Sequence, residues 1–261
     1  MILRLPSVPR LARVSAGLAV LAALATWAPA LATWAPGPAG SPPPAAGPPA
    51  RIPATGPPVR IMPLGDSITW GAFSTTRDGY RGHLYERLRA AGFAVDFVGS
   101  ARNGTGPDPD NEGHPGWRID PVRRHVASWL AAAEPDVVLL QIGTNDANRN
   151  DHVATAHRRL SALIDDILAA RRGIRVVVSQ LPPAQNPAVD ERIRAYNAHL
   201  PAVVAAKGPR VTLTSMYGMD RTTGFADPLH PNDAGYRYLA ENWYRALTPV
   251  LKPPSGARLV P

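Results

Sequence analysis

The sequence contains no cysteine, which excludes disulfide bonds, thiolate metal sites and a cysteine nucleophile within it. Lysine is nearly absent as well, with Lys207 and Lys252 as its two instances. No run of arginines and no aromatic RNA-binding motif accompanies the net charge of +8, so we predict no nucleic-acid partner. No pair of histidines at helical spacing indicates zinc, and we expect no cofactor. Stability must therefore come from a packed core.

The first 32 residues resemble a secretory signal peptide. Arg4, Arg10 and Arg13 precede an apolar run from about Val14 to Leu24, and residues 30–32 supply small side chains for cleavage. An uncleaved membrane anchor is the alternative, but the run is short for spanning a bilayer. We therefore predict a secreted protein with no stable membrane insertion after cleavage.

Composition divides the rest of the chain into three parts. Residues 33–58 are dominated by Pro, Ala and Gly, which predicts a disordered linker. Residues 59–251 form one predicted folded domain, and residues 252–261 form a C-terminal tail. The leader holds three of the basic residues and no acid, so the net charge falls from +8 to +5 after its removal. A moderate positive charge favours contact with anionic cell walls or polysaccharides.

The hydrophobic pattern of the predicted domain indicates an α/β fold. Short β-rich runs alternate with amphipathic helical stretches, which predicts a three-layer α/β/α sandwich around a parallel sheet of about five strands. The predicted strands cover 59–64, 95–98, 136–142, 174–179 and 211–215. Apolar residues at helical spacing mark three helices, with Ile119, Val122, Val126 and Trp129 on the first, Leu160, Leu163, Ile164, Ile167 and Leu168 on the second, and Tyr236, Leu239, Trp243 and Leu247 on the third.

Four short blocks in fixed order carry the candidate chemistry. They are Gly65-Asp66-Ser67-Ile68-Thr69, Gly116, Gly143-Thr144-Asn145-Asp146 and Asp227-Pro228-Leu229-His230. Two of them follow predicted strands, at the edge where open α/β sheets place their sites. Together they contain every group that a serine acyl-transfer enzyme needs.

Ser67, His230 and Asp227 form the predicted catalytic triad. Ser67 follows a strand at a sharp turn and is the candidate nucleophile, with His230 as its general base. Asp227 precedes His230 by three residues, so one turn of chain can bring its carboxylate to the imidazole. A helix cap is the alternative role for Asp227. The G-x-S-x-G elbow is not matched, because Thr69 occupies the position of its second glycine.

The other two blocks supply candidate oxyanion donors. Gly116 has no side chain, so its backbone N–H can approach a substrate oxygen closely. The Asn145 amide donates hydrogen bonds without titrating. The third predicted donor is the backbone N–H of Ser67.

These blocks resemble those of the SGNH hydrolase superfamily, the GDSL esterases and lipases, whose serine, glycine, asparagine and histidine correspond to Ser67, Gly116, Asn145 and His230. The resemblance implies a flavodoxin-like sandwich and ester hydrolysis. Residues 107–120 are further similar to carbohydrate esterase family 3, whose members deacetylate plant-wall polysaccharides such as xylan. One departure is Asn111, where that branch usually carries a histidine.

Several further residues have a possible functional role and a structural alternative. Trp70, His114 and Trp117 are candidate substrate contacts, with aromatic packing as the alternative. Asp66 and Asp146 are predicted to be acceptors that tie loop backbones. Residues 108–113 open like a calcium loop, but the twelfth position is Ile119 and not a glutamate, so we interpret them as a solvated acidic loop.

Three functions remain open at this point. The first is a secreted carbohydrate deacetylase acting on small-molecule or polysaccharide esters. The second is a lipase, lysophospholipase or thioesterase for longer acyl chains, and the third is a noncatalytic wall-binding protein. The stretch between the first two blocks, including residues 103–106, is polar. It indicates a solvated, sugar-facing edge of the site and favours the carbohydrate deacetylase.

Overall fold

The computed structural model describes residues 57–251, which leaves the predicted leader, most of the linker and the C-terminal tail outside the described residues. The strands are β1 (Val59–Gly65), β2 (Val95–Phe97), β3 (Ala101–Arg102), β4 (Asp110–Gly113), β5 (Val137–Gln141), β6 (Arg175–Gln180) and β7 (Val211–Ser215). The helices are α1 (Ser67–Trp70), α2 (Tyr80–Ala90), α3 (Ile119–Ala133), α4 (Thr144–Arg149), α5 (Val153–Ala170), α6 (Pro187–Ala205) and α7 (Asp233–Leu247).

The five predicted strands form a parallel sheet in the order β2-β1-β5-β6-β7. Two short strands that the sequence analysis did not predict extend it. The strand β4 pairs in parallel with the last two residues of β1, and β3 pairs with β4 in the antiparallel direction. Neither strand shows an alternating apolar pattern, because Asn111 and Glu112 of β4 are buried through hydrogen bonds and not through apolar packing.

Helices cover both faces of the sheet, which confirms the three-layer fold. Successive residues of a strand point to opposite faces, so Ile61 joins the core beneath α2 and α7, whereas Met62 joins the core beneath α3, α5 and α6. The predicted apolar residues of α7 are all buried. On α3, Leu130 completes the buried stripe, and Trp129 packs only at the margin of the core.

Two cores of this kind bury enough apolar surface to stabilise a domain that has no cysteine cross-links. Within residues 57–251, no helix is both long and apolar enough to cross a membrane.

Candidate active site

The candidate nucleophile lies at the carboxyl end of β1. Asp66 caps the short helix α1 by accepting a hydrogen bond from the Ile68 backbone N–H at 3.0 Å, and Ser67 is the first helical residue. The first N–H groups of a helix have no acceptor within it. The Ser67 backbone N–H is therefore free of the helix's own bonding pattern, as an oxyanion donor must be.

The candidate base and its orienting acid lie together in the loop before α7. His230 Nε2 is 2.9 Å from Ser67 Oγ, and His230 Nδ1 is 2.8 Å from Asp227 Oδ2. Residues 163 positions apart thus meet at hydrogen-bond distance. The loop is closed by a bridge between Phe225 and Pro231. The structure brings all three predicted triad residues into one hydrogen-bonded chain.

Asp227 holds its own loop as well as the imidazole. Its Oδ1 accepts the backbone N–H groups of Leu229 at 2.8 Å and His230 at 2.7 Å. Burial by itself would raise the pKa of the Asp227 carboxyl, but these backbone bonds and the one from His230 outweigh it and lower that pKa. The N-cap of α7 is Asn232, so the helix-cap alternative for Asp227 is not what the structure shows.

Asn145 lies in the first turn of α4, directly after the central strand β5. Its Nδ2 donates a hydrogen bond to the Trp117 carbonyl oxygen at 2.9 Å, which fixes the orientation of the amide and leaves its second N–H for another acceptor. The preceding Gly143 has φ 122 and packs so closely on Tyr196 that a Cβ there would lie 3.0 Å from a ring carbon. The turn that presents Asn145 therefore depends on a glycine.

Gly116 lies beside Trp117 in the loop after β4. Its φ of 80 falls in the left-handed region that glycine tolerates, and a Cβ there would meet one group within 4 Å, the end of the Arg149 side chain at 3.4 Å. Glycine is thus required by the backbone conformation more than by crowding. The bond from Asn145 to Trp117 ties both predicted oxyanion donors to one framework.

The predicted substrate-contacting residues lie in different surroundings. Trp70 has the Arg77 guanidinium 5.6 Å from its ring centroid. The His114 ring centroid lies 4.4 Å from that of Trp117 and 4.5 Å from that of Trp129, and His114 Nε2 is 2.7 Å from Glu112 Oε1. The His114, Trp117 and Trp129 rings therefore pack on one another. Substrate contact by Trp70, His114 and Trp117 stays a prediction. The Trp117 backbone carbonyl accepts a hydrogen bond from Asn145.

The acids of the stretch 108–112 are bound by protein groups. Asp108 accepts the Phe97 backbone N–H, Asp110 pairs with Arg102, and Glu112 accepts both the N–H and the hydroxyl of Ser100. Glu112 is fully buried, so this stretch is less solvated than the sequence analysis expected.

Two ionisable side chains near the site are buried to an extent that the sequence did not indicate. Arg81 is fully buried and donates hydrogen bonds to five backbone carbonyl oxygens, those of Thr69, Trp70, Arg77, Asn103 and Pro109. It thereby joins the end of α1 to the loop that leads into β4. Asp66 is also fully buried, and burial raises the pKa of its carboxyl to about 6. Sequence alone identified Asp66 as a loop acceptor but not the raised pKa of its carboxyl.

Known proteins resemble this chain in sequence and in fold. The sequence pattern of the GDSL-like lipase/acylhydrolase family matches residues 64–238. A Clostridium thermocellum family 3 carbohydrate esterase of known structure is 36% identical, with a TM-score of 0.68 over 74% of this chain and 96% of that one.

Two curated relatives match parts of this chain. The putative endoglucanase X of Acetivibrio thermocellus is 31% identical over 144 residues, which are 53% of this chain and 61% of the relative. The multidomain esterase of Ruminococcus flavefaciens is 27% identical over 226 residues, which are 75% of this chain and 29% of the relative. The chain thus spans less than two thirds of either relative. Taken with the match over residues 64–238, these similarities show that the chain belongs to the GDSL-like lipase/acylhydrolase family.

Proposed function

We propose that this protein is a secreted esterase that removes short acyl groups, acetyl foremost, from carbohydrates such as xylan. The observation that carries the catalytic part is the hydrogen-bonded chain from Ser67 Oγ through His230 to Asp227. Substrate class and secretion are inferences added to that observation.

In the proposed mechanism, His230 Nε2 takes the proton of Ser67 as the hydroxyl attacks the ester carbonyl. Asp227 keeps the imidazole in the tautomer whose Nε2 accepts, and it stabilises the imidazolium that forms. The low pKa of Asp227 suits this role because the acid stays ionised. His230 then returns the proton to the departing alcohol, and an acyl-enzyme remains on Ser67.

The negative charge on the tetrahedral intermediate is met by three neutral donors. They are the backbone N–H groups of Ser67 and Gly116 and the free N–H of the Asn145 amide. His230 then takes a proton from water, and the resulting hydroxide attacks the acyl carbonyl to form a second tetrahedral intermediate held by the same donors. The bond to Ser67 Oγ breaks, His230 returns the proton to that oxygen, and the acid is released.

Two observations support a short acyl group and a carbohydrate alcohol. The structural similarity at 36% identity is to a family 3 carbohydrate esterase. Among residues 57–251, Phe73 is the one large apolar residue that is mostly exposed, and such a polar surface favours a polar substrate over a long acyl chain. The family also includes lipases, and hydrolysis of longer acyl esters is the second candidate.

Secretion is proposed from the leader pattern of residues 1–32, which lie outside the described residues. Expression of the full chain in an exporting bacterial host, followed by N-terminal sequencing of the extracellular protein, tests it. A start near residue 33 is expected. Retention of the intact N-terminus in the membrane fraction would contradict secretion.

Hydrolysis of nitrophenyl acetate, nitrophenyl palmitate and acetylated xylan, measured side by side, tests the substrate class. We expect a higher kcat/KM for the acetate than for the palmitate, together with release of acetic acid from the xylan. Ser67→Ala serves as the inactive control. A preference for palmitate would instead support the lipase alternative.

A further inference from the structure

Phe73 combines two unfavourable features beside the candidate triad. Its side chain is 59% exposed, and its backbone has φ 64, a left-handed conformation that aromatic residues rarely adopt. Neither feature helps the fold, because an asparagine or glycine would fit this backbone better and an exposed ring gains little by burial. Such outliers concentrate at functional sites.

The loop that carries Phe73 is held by the helix that follows His230. Tyr236 of α7 donates a hydrogen bond from its hydroxyl to the Ala72 carbonyl oxygen at 2.7 Å. Asp233, the first residue of α7, accepts the Thr75 backbone N–H at 3.0 Å and its hydroxyl at 2.9 Å. The helix α7 therefore holds the Phe73 loop by three hydrogen bonds. The same helix begins three residues after His230, so the Phe73 loop and His230 are joined to one rigid element.

As a result, the Phe73 ring lies against the imidazole. The two ring centroids are 5.0 Å apart, and the planes are inclined by 34°. His230 Nε2, the nitrogen that faces Ser67, must reach the oxygen of the departing alcohol to protonate it. The alcohol part of the ester thus passes on the His230 side of the site, whereas the carbonyl oxygen points to Gly116 and Asn145.

We propose that Phe73 is a specificity-determining residue for the alcohol part of the ester, and that its exposed ring stacks on the apolar face of a sugar ring. An aromatic ring presents a rigid apolar surface at low entropic cost, and a pyranose presents a matching face of C–H groups. The inference rests on the proposed carbohydrate substrate and names the residue that recognises it.

The test compares two acetate esters that share an acyl group and differ in the alcohol, acetylated xylo-oligosaccharide and methyl acetate. Phe73→Asn removes the ring and suits the left-handed backbone. Phe73→Trp keeps an aromatic face. Glu134→Asn is the matched control, because Glu134 is also exposed and left-handed with φ 39, and it precedes β5 at the sheet edge opposite the site.

We expect Phe73→Asn to lower kcat/KM for the oligosaccharide roughly tenfold, about the effect of losing one aromatic contact. The value for methyl acetate should change less than about twofold, since its alcohol is too small to stack. Phe73→Trp and Glu134→Asn should resemble the wild type on both esters.

The deacylation rate distinguishes recognition of the alcohol by Phe73 from mere support of the His230 ring. The alcohol has left before water attacks, so the deacylation rate obtained from burst kinetics with nitrophenyl acetate should be unchanged in Phe73→Asn. Equal losses on both acetates together with slower deacylation would show that Phe73 merely supports His230, and would overturn the proposal. An active wild type whose preference between the two esters survives in Phe73→Asn would also overturn it. A wild type that hydrolyses methyl acetate but not the oligosaccharide would overturn the carbohydrate assignment itself.

Discussion

Asp227 contacts His230 through both of its carboxylate oxygens. Oδ2 is 2.8 Å from the ring Nδ1 of His230, and Oδ1 accepts the His230 backbone N–H at 2.7 Å. A single side chain therefore sets both the position of the loop and the orientation of the imidazole. The two oxygens have separable roles, since an amide can replace the one that accepts backbone N–H groups but not the one that faces a ring N–H.

Asp227→Asn should consequently leave the loop folded and reduce kcat by up to about 10⁴, the size seen when the equivalent change in a serine protease imposes the wrong imidazole tautomer. Steady-state kinetics on nitrophenyl acetate measures it. Asp220→Asn is the matched control, because Asp220 also accepts two backbone N–H groups in a turn, those of Thr222 and Thr223, but faces no histidine. Equal activity of the two variants would refute the orienting role.

Ser67→Ala should abolish ester hydrolysis without unfolding the protein, because the acyl-enzyme cannot form without the hydroxyl. Losses of about 10⁶ in kcat have precedent for serine nucleophiles. Ser128→Ala, which removes an exposed helical hydroxyl, should keep wild-type kinetics. Circular dichroism checks the fold, and near-normal turnover by folded Ser67→Ala would move the nucleophile elsewhere.

Asn145→Ala should lower kcat by roughly 10² to 10³ with little change in KM, as expected for the loss of one oxyanion donor. The same change removes the hydrogen bond to the Trp117 carbonyl oxygen. Asn145→Asp should be at least as damaging, because it places negative charge where the transition state develops its own. If both variants stay folded with wild-type kcat, the oxyanion site consists of backbone groups alone.

Asp66→Asn should stabilise the protein near neutral pH and have little effect in acid. Burial raises the pKa of folded Asp66 to about 6, against 3.8 as its ordinary value. Between these values the unfolded chain releases a proton that the folded protein keeps, so the Asp66 contribution to the unfolding free energy falls as pH rises from about 4 to 6 and stays low above that.

A shift of about two units corresponds to roughly 3 kcal/mol as an upper limit for this difference. Urea denaturation of the wild type and Asp66→Asn at pH 4 and pH 7.5 measures it, with the variant gaining only at the higher pH. An equal difference at both pH values would mean that Asp66 is ionised in the folded protein throughout.

Much of the fold and the triad could be predicted from the sequence because the signals involved are local. Periodicity two in β1 and periodicity 3.6 in α5 and α7 follow from where successive side chains point. Asp227 and His230 are three residues apart, so their contact needs only one turn of chain. The runs 59–64 and 136–142 end just before the blocks that contain Ser67 and Asn145, which indicates a site at the carboxyl edge of a parallel sheet.

Features that depend on contacts between residues far apart in the sequence were decided only by the tertiary structure. The short strands β3 and β4 form because polar side chains such as Glu112 find buried hydrogen bonds there, which no periodicity encodes. Arg81 looks like any helical arginine in the sequence, yet folding brings five backbone carbonyl groups from residues 69 to 109 around it. Phe73 likewise gains its place beside His230 because Asp233 and Tyr236 of α7 hold its loop. Local patterns specify the direction of a side chain, but its surroundings are fixed only when separate layers pack together.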